Sequence, residues 1–289
     1  MIANNNLSVL PFYTSIDEQN HRKSYAYGQI YPLLTPVNRI LPFQIMRPYS
    51  EEDITEISLY TKNGVFVENL LTAMTGNGLH TYIVGEVYEV ISYSDIMSMP
   101  THVAAEGQYY LVLKDESNTW YSEIFTVVSD IQNTIKIEWW DEENLFFDAG
   151  AIIYKDVGYT FRNRLYLNTE LGKPEYKFEE EGETRDGYYF AEKQISEKTF
   201  KCVALAPEYL CDVMRLIRLS DYVVVTDKYN RQYDCDTFLI TPKWQEQGDL
   251  ASVEIEFETA TVVKKTAKGY IIARRGDFNN DFNNDYNNG

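Results

Sequence analysis

Hydrophobic and polar residues alternate along most of this chain, and one stretch breaks the alternation. From Ala206 to Val225 (APEYLCDVMRLIRLSDYVVV), Leu210, Val213, Met214 and Ile217 recur at i, i+3, i+4 and i+7, the spacing of one helical face. Pro207 suits a first helical position, Glu208 the positive N-terminal end, and Arg215 and Arg218 the negative C-terminal end. The spacing predicts one main helix at about 207–219, stopped by Ser220-Asp221 and followed by a β-branched strand from Tyr222. A single helix among strands is expected to cover one end or face of a sheet.

Residues 37–129 read as a β-sandwich: short alternating runs separated by turn signals. Strands are predicted at 39–46, with Pro42 placing it at a sheet edge, and at 54–61, 65–67, 82–90, 109–114 and 120–128. Asn63-Gly64 predicts a type I′ hairpin turn. The closing hairpin, Tyr109 to Lys114 followed by Trp120 to Val128, resembles the last two strands of immunoglobulin and fibronectin type III modules, which implies a binding or spacer role.

Residues 130–268 read as an antiparallel, β-rich α+β domain that holds the main helix. Strands are predicted at 134–140, 151–154, 160–167, 188–190, 199–205, 222–226 and 237–240. Ala251 to Val263 alternates strictly, with Val253, Ile255 and Phe257 inward and Glu254, Glu256 and Glu258 outward. Extended segments flank the two parts. Residues 1–36 form a polar arm with an apolar patch at Tyr25, Tyr27, Ile30, Tyr31 and Leu33. The tail 269–289 repeats Asp-Phe/Tyr-Asn-Asn from Asp277, Asp281 and Asp285, a low-complexity pattern unable to form a core. Tyr25, Tyr27, Tyr31, Phe278, Phe282 and Tyr286 are the candidate interface residues, expected to order on assembly with a neighbouring subunit.

The 289 residues carry 44 acidic against 26 basic groups, a net charge of −18. That balance argues against nucleic acid or an anionic membrane as partner, and no apolar run reaches the length of a membrane span. No basic region followed by an apolar run opens the chain, so no secretory leader is expected. Cys202, Cys211 and Cys235 make an odd count without a CxxC pair, which predicts free thiols. His21, His80 and His102 are too few and too scattered for a metal site or a convincing triad. Acidic runs such as Glu179-Glu180-Glu181 with Glu183 and Asp186 read as solvated turns, with a cation site or glycan hydrolysis as the alternatives. The expectation is a chain that is not an enzyme, with no catalytic residues, no metal and no cofactor.

One resemblance goes further. The stretches Ser122–Val128, Lys136–Trp140, Tyr166–Thr169 with Pro174–Tyr176, Glu179–Phe190, Ile195–Lys198, Ala206–Asp212 and Trp244–Val253 resemble virion proteins encoded by phages and prophages of gut Bacteroidota. The resemblance spans about residues 120–265. It implies a structural tail, ring, baseplate or connector protein, assembled in the bacterial cytoplasm and resident in the virion. Its implied partners are further copies of itself and other virion proteins. The alternative is a carbohydrate- or receptor-binding module that uses Trp120, Trp139, Trp140 and Trp244 as a stacking platform.

Overall fold

The computed structural model describes residues 8–17, 31–49, 52–84, 88–95, 105–131, 133–141, 161–244 and 250–265. The predicted strand at 151–154, the interface residues Tyr25 and Tyr27, and the tail with Phe278, Phe282 and Tyr286 lie outside them.

The described fold is mainly β. The N-terminal strands are β1 (Phe12–Tyr13), β2 (Leu33–Pro36), β3 (Phe43–Pro48), β4 (Glu56–Thr61), β5 (Phe66–Asn69), β6 (Leu79–Val84), β7 (Tyr88–Tyr93), β8 (Gly107–Lys114), β9 (Thr119–Ser122) and β10 (Phe125–Val128). They form two sheets with a sandwich-like core. One is antiparallel in the order β3-β7-β6. In the other, β8 has β4 on one side and β9 then β10 on the other, β5 extends β4, β1 pairs with β9, and β2 runs parallel to β10. Alternation decides what is buried: Phe43 and Ile45 point into the core while Gln44 and Met46 are half-buried. The Phe12 ring packs 4.9 Å from the Phe43 ring and Tyr93 stacks on Phe43 at 5.7 Å.

Arg47 occupies the next inward position of β3, where an apolar residue would be expected. It is 3% exposed and pairs with Glu89 on β7 at 2.5 Å. It also pairs with Asp115 and donates to the Glu52 carbonyl. Its guanidinium lies 5.9 Å from the Trp120 ring centroid. A buried cation is tolerable only when its donors are met this completely. Burial alone would raise the Asp115 carboxyl, but hydrogen bonds from Asn118 and Ser117 and the charge of Arg47 hold it below the usual carboxylate range.

The C-terminal strands are β11 (Ile135–Trp140), β12 (Asn163–Leu167), β13 (Glu175–Arg185), β14 (Tyr188–Pro207), β15 (Tyr222–Thr226), β16 (Gln232–Trp244) and β17 (Leu250–Lys265). They build one antiparallel sheet in the order β12-β11-β15-β16-β17-β14-β13. The described helices include α1 (Leu71–Thr75) and α2 (Glu208–Met214), the second followed by a 3₁₀ turn at Ile217–Leu219. Most buried apolar residues, from Val9 to Phe257, form a contiguous core across both parts, and Tyr110, Val112 and Ile124 form a smaller separate cluster.

Several predicted boundaries move. The main helix is shorter than 207–219. Pro207 is extended (φ −73°, ψ 164°), closes β14 and caps α2 rather than opening it. After Met214 the Leu216 N–H reaches back only three residues, to Val213 O, and that tightening keeps Ile217 buried with Leu210, Val213 and Met214. The predicted strand at 39–46 begins at Phe43 and, as expected next to Pro42, lies at a sheet edge. The stretch predicted as one strand over 82–90 is divided between β6 and β7. At Asn63-Gly64 only Gly64 has positive φ (80°), so the hairpin turns without the type I′ geometry, and the register shifts between Leu59 and Tyr60 instead. The largest difference is at 175–207, where two short strands and an acidic turn were expected. A single long hairpin stands there.

Candidate functional site

The hairpin of β13 and β14 begins with its turn. Asp186 (φ 50°) and Gly187 (φ 83°) are both left-handed, the geometry of a two-residue type I′ turn, and Asp-Gly is a residue pair that adopts it readily. The strands then pair from Arg185↔Tyr188 back to Glu175↔Thr199. A bulge at Glu181/Gly182 interrupts the register. Glycine is needed there because a Cβ would sit 2.1 Å from the Phe190 carbonyl oxygen.

β16 pairs with β17 only as far as Cys235↔Thr259, whereas β14 and β17 continue to Lys193↔Lys265 and β14 with β13 to the turn. A ribbon therefore runs on beyond the body of the sheet. At about 3.3 Å per residue, the ten residues 188–197 of β14 carry it on the order of 33 Å.

The two faces of the ribbon differ. On the core-facing side the body ends in an aromatic cluster: Phe200 lies 5.4 Å from Phe257 and 4.8 Å from Tyr233, and Lys198 sits 5.0 Å from the Phe200 ring. Past that cluster the same face continues with Tyr176, Phe178 and Val262, since Phe178 and Val262 flank Ser196 in register. They are 73%, 64% and 62% exposed. Core-type positions thus run on where the core has stopped. Toward the tip, Tyr188 and Tyr189 are also exposed. The opposite face carries ion pairs on the body of the sheet, beside which Val203, Leu205 and Leu239 and, on the ribbon, Val263 are also exposed. Lys177 reaches Glu258 at 3.4 Å, Lys201 reaches Glu175 and Glu256 at 3.4 Å, and Lys243 reaches Glu254 at 2.8 Å. Such exposed pairs are screened by solvent and stabilise the sheet little.

Of the predicted interface residues, Tyr31 alone lies among the described residues. It packs in cis: its hydroxyl donates to the Leu205 carbonyl of β14 at 2.9 Å, its ring lies against the core, and burial pushes its phenol up. The sequence pointed to the arm and tail and passed over Tyr176, Phe178 and Val262. The signal was present as alternation: Tyr176 and Phe178 precede the run Glu179–Glu181, and Asp186-Gly187 marks the turn.

The groups considered for chemistry fall elsewhere. Burial pushes the Cys202 and Cys235 thiols up to about 12 and Cys211 to about 11, so all three stay protonated and unreactive near neutrality. His80 lies on β6, and burial lowers its pKa. Among the described residues no three His, Cys, Asp or Glu side chains are grouped to hold a metal ion. The acidic run Glu179–Glu181 stands on the open ribbon and not in a cleft. Of the four tryptophans proposed as a stacking platform, Trp120 and Trp139 are core residues at 3% and 4% exposure. Trp140, stacked on Tyr222 at 5.2 Å, and Trp244 remain accessible. No protein-family model and no curated protein matches this chain.

Proposed function

We propose that this chain is a structural component of a bacteriophage virion, a tail, ring or connector protein that assembles as a homo-oligomer. The observation that carries the reading is the ribbon. It lays a row of apolar side chains, Tyr176, Phe178 and Val262, in open solvent beyond the sheet that should cover them. Exposed apolar rows on a long ribbon mark interaction surfaces. A projecting hairpin anchored in a rigid sheet is also a geometry that lets one subunit reach across the next.

The N-terminal sheets support a second part of the reading, an immunoglobulin- or fibronectin III-like sandwich. The order β3-β7-β6 faces a sheet in which β5, β4, β8 and the broken strand β9/β10 lie side by side, which corresponds to strands B-E-D against C′-C-F-G of that architecture. The sandwich then serves as a rigid spacer carried by the assembling sheet.

Light scattering behind a sizing column tests the proposal. The expected result is a discrete oligomer, or assembly that sharpens with concentration. A strict monomer at every concentration, alone and with co-expressed virion proteins, would contradict it.

A further inference from the structure

The opposite edge of the C-terminal sheet holds a second feature. Where β11 and β12 meet the N-terminal sheets, a cavity of about 490 Å³ is lined by Arg39, Lys136, Arg162 and Arg164 together with Asp95 and Glu138. Four cations face two carboxylates, in a chain whose net charge is −18. The carboxylates are already engaged. Asp95, 1% exposed, accepts from Arg39 at 2.6 Å and from Arg164 at 2.5 Å, and Glu138 pairs with Lys136 at 2.6 Å.

Two donors are left over. Arg162 lies over the Trp140 ring at 4.4 Å and forms no ion pair among the described residues. Arg164, with 7% of its side chain exposed, keeps its Nε–H buried without an acceptor. A buried donor left unmet is destabilising, more so when charged, and an incoming acceptor relieves that cost. A site with surplus guanidinium charge takes oxyanions that fit the arginine fork, a carboxylate among them.

We propose that this cavity is a carboxylate-binding site, and that its ligand is the glutamate-rich segment Glu179–Glu181 of β13 on a second copy of the chain. The inference rests on the homo-oligomer reading and deepens it. Charge complementarity argues for this occupant: β13 presents exposed Glu179 and Glu181 on one face, the second 3.8 Å from Lys193, and Glu180 on the other, while the cavity gathers the surplus positive charge. Topology argues that the contact is between copies. β12 and β13 are the two outermost strands of a seven-stranded sheet, about 29 Å apart at 4.8 Å per strand. A hairpin at one edge therefore meets a cavity at the other edge of its neighbour. Such a contact joins two different surfaces, and head-to-tail contacts of this kind close into rings or extend as filaments.

Charge reversal in the full-length protein tests this. One variant carries Lys136→Glu and Arg162→Glu, the other Glu179→Lys and Glu181→Lys, each checked for its fold by circular dichroism. Each variant alone should need at least about tenfold more protein to assemble than wild type, a loss of about 1.4 kcal/mol. An equimolar mixture should regain wild-type assembly, because the reversed hairpin of one matches the reversed cavity of the other. Wild-type assembly by either variant alone, or failure of the mixture, overturns the proposed contact. Where wild type stays monomeric at every concentration, alone and with co-expressed virion proteins, the homo-oligomer reading fails by itself, and a titration with glutarate decides the cavity. A saturable change in tryptophan fluorescence that Arg162→Glu abolishes upholds the carboxylate site, and no binding to wild type overturns it.

Discussion

At one end of the N-terminal sandwich a charged side chain is buried and fully met; on the β13–β14 ribbon, apolar side chains are exposed and unmet. Arg47 has Glu89, Asp115, the Glu52 carbonyl and the Trp120 ring around it. Tyr176 and Phe178 occupy inward positions of their strand yet have no covering layer among the described residues. The first arrangement makes a unit that is stable by its own contacts. The second leaves an apolar surface open to another molecule. The contrast separates stability from assembly within one chain, and variants on each side should move one without the other.

The largest expected effect is on the sandwich. Arg47→Ala leaves Glu89 and Asp115 buried without their cation and should cost about 3–5 kcal/mol, read as a lower urea midpoint. An unchanged midpoint would show that the cluster is not what holds that end together. Acid acts on the same cluster and removes a fraction of that stability. The Asp115 carboxyl is held below its ordinary 3.8 in the folded chain. Its contribution is therefore present above that value and lost as pH falls through the lower folded pKa. Thermal unfolding should show stability falling below about pH 4, with the acid slope reduced in Asp115→Asn. An identical slope in that variant would remove Asp115 from the account.

Smaller effects are expected on the ribbon, with the global midpoint unchanged. Gly182→Ala places a Cβ against the Phe190 carbonyl and should cost the ribbon about 1–3 kcal/mol, seen as faster amide exchange in β13 while β3 and β7 keep their protection. Gly187→Ala forces a side chain into φ 83° and should cost about 1 kcal/mol in the same assay. Loss of protection in the N-terminal sheets of either variant would mean that ribbon and sandwich unfold as one unit.

Alternation made much of the fold legible in the sequence. Val253, Ile255 and Phe257 are fully buried, as their period-two spacing predicts, and Leu210, Val213 and Met214 form the buried face of α2. The hairpin was not legible, because Glu179, Glu180, Glu181 and Glu183 break alternation on a strand with no core beneath it. A run of like charge usually belongs to a loop, and only the register of β14 against β13 and β17 reveals it as strand. The charge surplus near Arg164 was equally hidden. Arg39, Lys136 and Arg162 are far apart in sequence and are gathered only by the meeting of β12 with the N-terminal sheets.

The separation of stability from assembly is tested most directly by one comparison. Wild type and the Tyr176→Ser, Phe178→Ser variant would be measured side by side by light scattering across concentration, each paired with a urea unfolding curve. The account predicts that the variant unfolds at the wild-type midpoint but needs at least about tenfold more protein to assemble. Equal assembly by the two proteins, or an unfolding midpoint that falls in step with assembly, would contradict it.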